Sequence, residues 1–161
     1  MRSKETVIVK VLPPTHNKRV WLENTARAFA QAVQYGLDVA KTERISSRNR
    51  LHKLVYQQAR SLSLPADYAR MAVNAAVSIV RSYYSLLRTG QSASFPHVNG
   101  SQGIGLGVNA YKIVAADNRF VLRVSTGERG TYVWLPLCVP ARYRDKMAFV
   151  QGDARLFQRG N

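Results

Sequence analysis

Thr6-Val-Ile-Val-Lys-Val-Leu12, stopped by Pro13-Pro14, sets the plan of the chain. The segment is apolar and β-branched, so it suits a strand, and two consecutive prolines end it because they cannot continue a ladder. Nothing nearby can pair with it. The residues that follow have helical periodicity as far as Gly90, and a period of two returns only after about residue 103. The first strand must therefore pair with strands at the far end of the chain, which makes the helices an insertion.

Working outward, the spacing predicts a long helix from about Thr15 to Lys41, with Leu22, Ala26, Phe29, Val33, Leu37 and Ala40 on its inner face. Gly36 within it predicts a kink or a close approach. A second helix is expected over Ser47 to Arg60, with Leu51, Leu54, Val55 and Ala59 inward. A third starts at Ser63-Leu64-Pro65, since proline suits a first helical turn, and stops at Gly90. Its expected inner set is Tyr68, Met71, Ala72, Ala75, Ala76, Ile79, Tyr83, Leu86 and Leu87. The outer set holds Asp67, Arg70, Asn74, Ser78, Arg81, Ser85 and Arg88.

Beyond the Ser/Gly/Asn-rich loop, Ile104, Leu106 and Val108 alternate with small or polar residues, and Phe120, Leu122 and Val124 do the same. Thr126-Gly-Glu-Arg-Gly130 predicts a hairpin turn, with a return strand over Thr131 to Leu137 that stops near Pro136 and Pro140. A last strand is expected over Met147 to Phe157, broken at Gly152. The fold class is therefore α+β: a small antiparallel β-barrel interrupted after its first strand by a three-helix insertion. The expected division is 1–13 with 91–161 as the β part and 14–90 as the helical insert.

The chain has 161 residues, 46% of them hydrophobic, which is material for a packed core and not for a disordered tail. No apolar run is long enough to span a bilayer, and the amino terminus lacks a signal-peptide core. A single cysteine excludes an internal disulfide. The expectation is a cytoplasmic protein, nucleoid-associated in a prokaryote.

Lys and Arg number 24 against nine Asp and Glu, a formal net charge of +15. A compact molecule this cationic repels itself, and a polyanion that releases counterions on binding relieves the repulsion. Nucleic acid is the commonest such partner. No helix combines a basic face with a bulky apolar one, so a membrane surface is not expected.

Catalytic chemistry is hard to find. The nine carboxylates form no close pair on any expected strand or helix face, as two-metal phosphoryl transfer requires. His16, His52 and His97 lie in different segments. Cys138 follows an apolar strand and is expected to be a buried, inert thiol. Gly103-Ile-Gly-Leu-Gly107 has neither the lysine nor the following helix of a phosphate loop. No enzyme activity and no cofactor are expected.

Basic residues interleaved with amides and aromatics are the one concentrated signal. Arg44, Arg48, Arg50, Lys53 and Arg60 form the densest run and suit phosphate. The third-helix stripe of Arg70, Asn74, Arg81 and Arg88 combines groups that read guanine edges, adenine edges and phosphates. Tyr83 and Tyr84 are adjacent and must diverge, leaving Tyr84 as the candidate for stacking. Lys112 and Arg123 on strands suit a β-surface that tracks a nucleic-acid backbone. With Lys10 and Arg27, these thirteen residues are the candidate nucleic-acid-binding set. The turn Ser61-Leu-Ser-Leu-Pro65 also permits a second reading, a stand-alone helix-turn-helix DNA-binding regulator.

The order of these features resembles a known family. Val7-Ile-Val-Lys-Val-Leu-Pro-Pro14, the helix with Leu22, Ala26 and Phe29, Arg81-Ser-Tyr-Tyr-Ser-Leu-Leu-Arg-Thr-Gly90 with Phe95-Pro96, and the closing Gly152-Asp-Ala-Arg-Leu-Phe-Gln-Arg-Gly160 are similar to the amino-terminal region of TnpB-like transposon RNA-guided nucleases and type V CRISPR effectors. The resemblance implies an oligonucleotide-binding-like wedge barrel with a helical recognition insert. It also implies a guide RNA scaffold held by the barrel and target-adjacent DNA facing the third-helix stripe. The family's nuclease acids and zinc-ribbon cysteines would follow Asn161, so no catalytic residue carries over. The loop after Pro96 lacks the family's usual basic run. The implied partners are guide RNA, target DNA and the remaining nuclease portion of a parent protein.

Overall fold

The computed structural model describes residues 5–98, 103–150 and 152–158. The expected terminal turn at Arg159-Gly160-Asn161 lies outside them. The chain is α+β. Strand β1 (Lys10–Val11) precedes three helices, α1 (His16–Thr42), α2 (Arg48–Ser61) and α3 (Ala66–Arg88). Strands β2 (Ile104–Leu106), β3 (Tyr111–Ala116), β4 (Arg119–Ser125) and β5 (Tyr132–Cys138) follow, then the short helix α4 (Ala141–Arg144), a 3-10 turn at Met147–Phe149 and β6 (Ala154–Leu156).

Strand order in the main sheet is β1-β5-β4-β3, antiparallel throughout. Lys10 lies opposite Cys138 and Val11 opposite Leu137, so the first strand does close onto the far end of the chain. The regular ladder is shorter than expected: two residues, extended by the Leu12 N–H donating to the Pro136 carbonyl at 2.8 Å. Asp117 and Asn118 join β3 to β4 with φ of 47° and 60°, the paired left-handed geometry of a two-residue hairpin loop.

Among the described residues the sheet stays open and does not close into a barrel. The reason lies after Cys138. Pro140 starts a helical turn, and the 3-10 turn follows, where the sequence predicts a strand beginning at Met147. Among the described residues of that tail, Ala154–Leu156 form a strand, and it pairs with β2 in a separate ladder, Gly105 opposite Arg155. The Tyr111 hydroxyl ties this ladder to the main sheet by donating to the Gly152 carbonyl at 2.8 Å.

Pro136 sits inside β5 instead of ending it. Its carbonyl faces β1, so its nitrogen does too, and the missing N–H leaves the β4 ladder intact. The register also sends Cys138 outward. Leu135 and Leu137 are buried, so even-numbered positions face solvent, and the thiol is exposed instead of buried.

One apolar cluster joins helices and strands, running from Phe29, Val33 and Leu37 through Leu51, Val55, Tyr68 and Val73 to Leu106, Val124 and Leu135. α3 is rotated from the expected orientation. Its buried set is Tyr68, Ala69, Ala72, Val73, Ala76, Val77 and Val80, while Leu86 and Leu87 are exposed. Packing against α1, α2 and β2 together buries a broader arc than one stripe. Leu54 of α2 is likewise exposed. Gly36 marks a close approach: a Cβ there would lie 2.9 Å from the Ala76 Cβ.

Candidate nucleic-acid interface

Nine of the twelve expected cations fall on two surfaces. The first runs along α3 and the start of α2. The Arg48 Nε donates to the Asn74 Oδ1 at 2.8 Å, which joins the two helices and occupies the amide expected to read bases. Arg70 is also partly committed. Its guanidinium lies 3.7 Å from Asp67, one turn earlier, and fills the space where a Gly107 side chain would stand. Farther along, Arg81 Nε donates to the Ser46 carbonyl at 3.3 Å. Arg81 and Arg88, with Ser46, Tyr84 and Leu87, line an open hollow of about 380 Å³. Tyr84 faces this hollow, while Tyr83 packs edge-on against Phe95 at 5.0 Å. Arg44, at φ 52°, and Arg50 are exposed on either side of the α1–α2 junction.

The second surface is the solvent face of the main sheet. Arg123 lies opposite Lys112 on one neighbour and Trp134 on the other. The carbonyls of Trp134 and Pro136 point away from β4, so Arg123–Trp134 is a non-hydrogen-bonded pair, the closer of the two antiparallel spacings. The Arg123 guanidinium is 4.3 Å from the Tyr132 ring centre and 6.0 Å from that of Trp134. The two rings stand edge to face at 69°. Lys18 of α1 donates to the Trp134 carbonyl at 2.6 Å and covers the edge of β5 that the short β1 leaves open. Lys10 shares this outer face at its other margin, opposite Cys138.

Three members of the expected set stand apart. Arg27 lies on α1 beside Glu23, in a separate hollow with Gln31, Gln34 and Val98. The Arg60 guanidinium donates to the Leu64 carbonyl at 2.7 Å and stabilises the α2–α3 turn. Lys53 is exposed on α2.

Sequence reasoning missed Tyr132 and Trp134. Their signal was present: both occupy the polar phase of a strand whose other phase is Val133, Leu135 and Leu137. Two tyrosines, the buried Tyr68 and the half-buried Tyr111, belong to the framework. Burial, and secondarily Asp67, pushes the Tyr68 phenol well above its ordinary value. Burial and then Asp153 raise Tyr111.

Among the described residues, the only ion pairs are Arg70–Asp67 and Lys146–Glu5. Most of the cationic charge is thus not neutralised within the fold. No group of three or more His, Cys, Asp or Glu among the described residues comes together to hold a metal ion. No described helix is long and apolar enough to cross a membrane. No protein-family model matches the chain, and no curated protein matches it.

Proposed function

We propose that this protein is a nucleic-acid-binding module without a catalytic centre of its own, of the kind found at the amino-terminal side of TnpB-like RNA-guided DNA-targeting proteins. In this reading the strands form the wedge element and hold guide RNA. The α2–α3 strip contacts target-adjacent duplex DNA. The module acts in the cytoplasm on nucleoid DNA, beside a nuclease portion supplied by a parent protein.

The observation that carries the reading is the unneutralised charge. A fold with 24 basic side chains and two described ion pairs keeps its arginines available for an external polyanion. Arg48, Arg81 and Arg88 add order to that charge, because carbonyl and amide contacts fix two of the three along one helical strip. Such positioning suits a regular phosphate backbone.

The helix-turn-helix regulator has less support. A recognition helix presents its amino-terminal residues to the major groove. Here Tyr68, Ala69, Ala72 and Val73 at that end of α3 are buried. The exposed cations lie at the other end.

The test is binding of the full chain to a structured RNA and to a DNA duplex across a salt series. The reading expects RNA to co-purify and both affinities to fall steeply with salt. Clean protein with no affinity for either at low salt would overturn it.

A further inference from the structure

We propose that the solvent face of the four-stranded sheet is a stacking platform for a single-stranded RNA segment, with Trp134 and Tyr132 receiving bases and Arg123 and Lys112 receiving phosphate. The inference deepens the proposed RNA-binding function and rests on it.

Trp134 is 43% exposed and Tyr132 39%, although Leu135 and Leu137 already supply the inner face of β5. The core does not need these rings. Both stand on the same face, and Arg123 leans on them from the neighbouring strand. That contact covers part of the ring surface, and a base can add its own π-face to the part that stays exposed.

The charge points to the same occupant. Lys112 and Arg123 are directly opposite each other, a like-charge pairing that weakens a sheet. A phosphate between them turns the repulsion into attraction. Strands β1, β3, β4 and β5 contain no Asp or Glu. The guanidinium donors therefore meet no carboxylate from the sheet itself. Lys10 extends the positive field to the opposite margin.

Single-stranded RNA fits better than a duplex. Paired bases already have both faces covered by stacking, so exposed rings would meet only the backbone. Unpaired bases can be splayed onto aromatic side chains, and a four-stranded antiparallel sheet is a known geometry for presenting those rings. This division leaves the duplex to the α3 strip, which lacks two exposed aromatics side by side.

The test uses the full chain and labelled twelve-nucleotide oligo-U, oligo-dT and a twelve-pair DNA duplex. Trp134→Ala is expected to weaken oligo-U binding about 5- to 150-fold while duplex binding stays within about twofold. Arg81→Gln with Arg88→Gln is expected to do the opposite. In a Trp21→Phe background Trp134 is the one remaining tryptophan, and oligo-U should quench its fluorescence. That readout needs no loss-of-function variant. Unchanged oligo-U affinity in Trp134→Ala together with an unquenched Trp134 would overturn the platform. So would oligo-dT binding tighter than oligo-U, or self-association that Trp134→Ala abolishes. If wild-type protein binds structured RNA and duplex while the platform fails these tests, only this inference falls; if it binds none of them, the proposed function falls as well.

Discussion

The Tyr68 hydroxyl donates to the Ser125 carbonyl at 2.6 Å, pinning the first turn of α3 to the end of β4. The ring is 1% exposed. Tyr68→Phe removes the donor and leaves that carbonyl without its partner. The expected cost is about 1–2 kcal/mol, read from urea midpoints. The pH dependence has a definite sign. Below the ordinary tyrosine value of 10.0 the phenol is protonated in both folded and unfolded chains. Above it the unfolded chain ionises while burial keeps the folded one protonated, so stability falls as pH rises towards the raised folded value. Tyr68→Phe should flatten this part of the fall, measured between about pH 9 and about pH 11.

Gly36 and Ala76 set the distance between α1 and α3. Gly36→Ala gains about 1 kcal/mol of helix propensity but puts a methyl 2.9 Å from the Ala76 Cβ. Overpacking of this kind costs about 1–3 kcal/mol, so a net loss is expected. Adding Ala76→Gly should recover part of it. A double-mutant cycle on thermal or urea unfolding measures the coupling.

Arg81 and Arg88 share one hollow, and their effect on duplex DNA is expected to be electrostatic. Replacing both with Gln should reduce the slope of log affinity against log salt by about 1.8, close to 0.9 per lost phosphate contact. Anisotropy titrations across a salt series give this slope. An unchanged slope would move the duplex elsewhere on the surface.

Lys112→Thr separates stability from binding. It relieves the repulsion with Arg123 and suits a strand, so the free protein should gain about 0.2–1 kcal/mol at low salt. Oligo-U affinity should drop at the same time. A variant that is both less stable and equally tight would show that Lys112 serves the sheet instead of a ligand.

The helices and the insertion were legible because they rest on periodicity and on the isolation of the first strand. Phe29, Val33, Leu37, Leu51 and Val55 are all buried as their spacing requires. The rotation of α3 was not legible, because the helix packs against α1, α2 and β2 and so buries Val73, Val77 and Val80 as well, whereas a single-stripe pattern describes packing on one neighbour. The open sheet was hidden for a different reason. Local apolar content at Met147–Phe149 suits a strand and a 3-10 turn equally, and tertiary context chooses. In the candidate interface, counting cations found Arg81, Arg88, Lys112 and Arg123. It could not reveal that Asn74 is occupied by Arg48 or that Arg60 serves a turn, since the first depends on a partner distant in sequence and the second on the conformation of the turn. Trp134 and Tyr132 were readable from strand phase alone once Leu135 and Leu137 are assigned inward.

The pairing of Lys10 with Cys138 has a consequence for how the molecule assembles. During synthesis the helices can collapse on one another while the first strand waits, unpaired, for a partner more than a hundred residues downstream. Completion of the sheet is therefore a late event, and the cationic helical surface forms before the aromatic strand face exists.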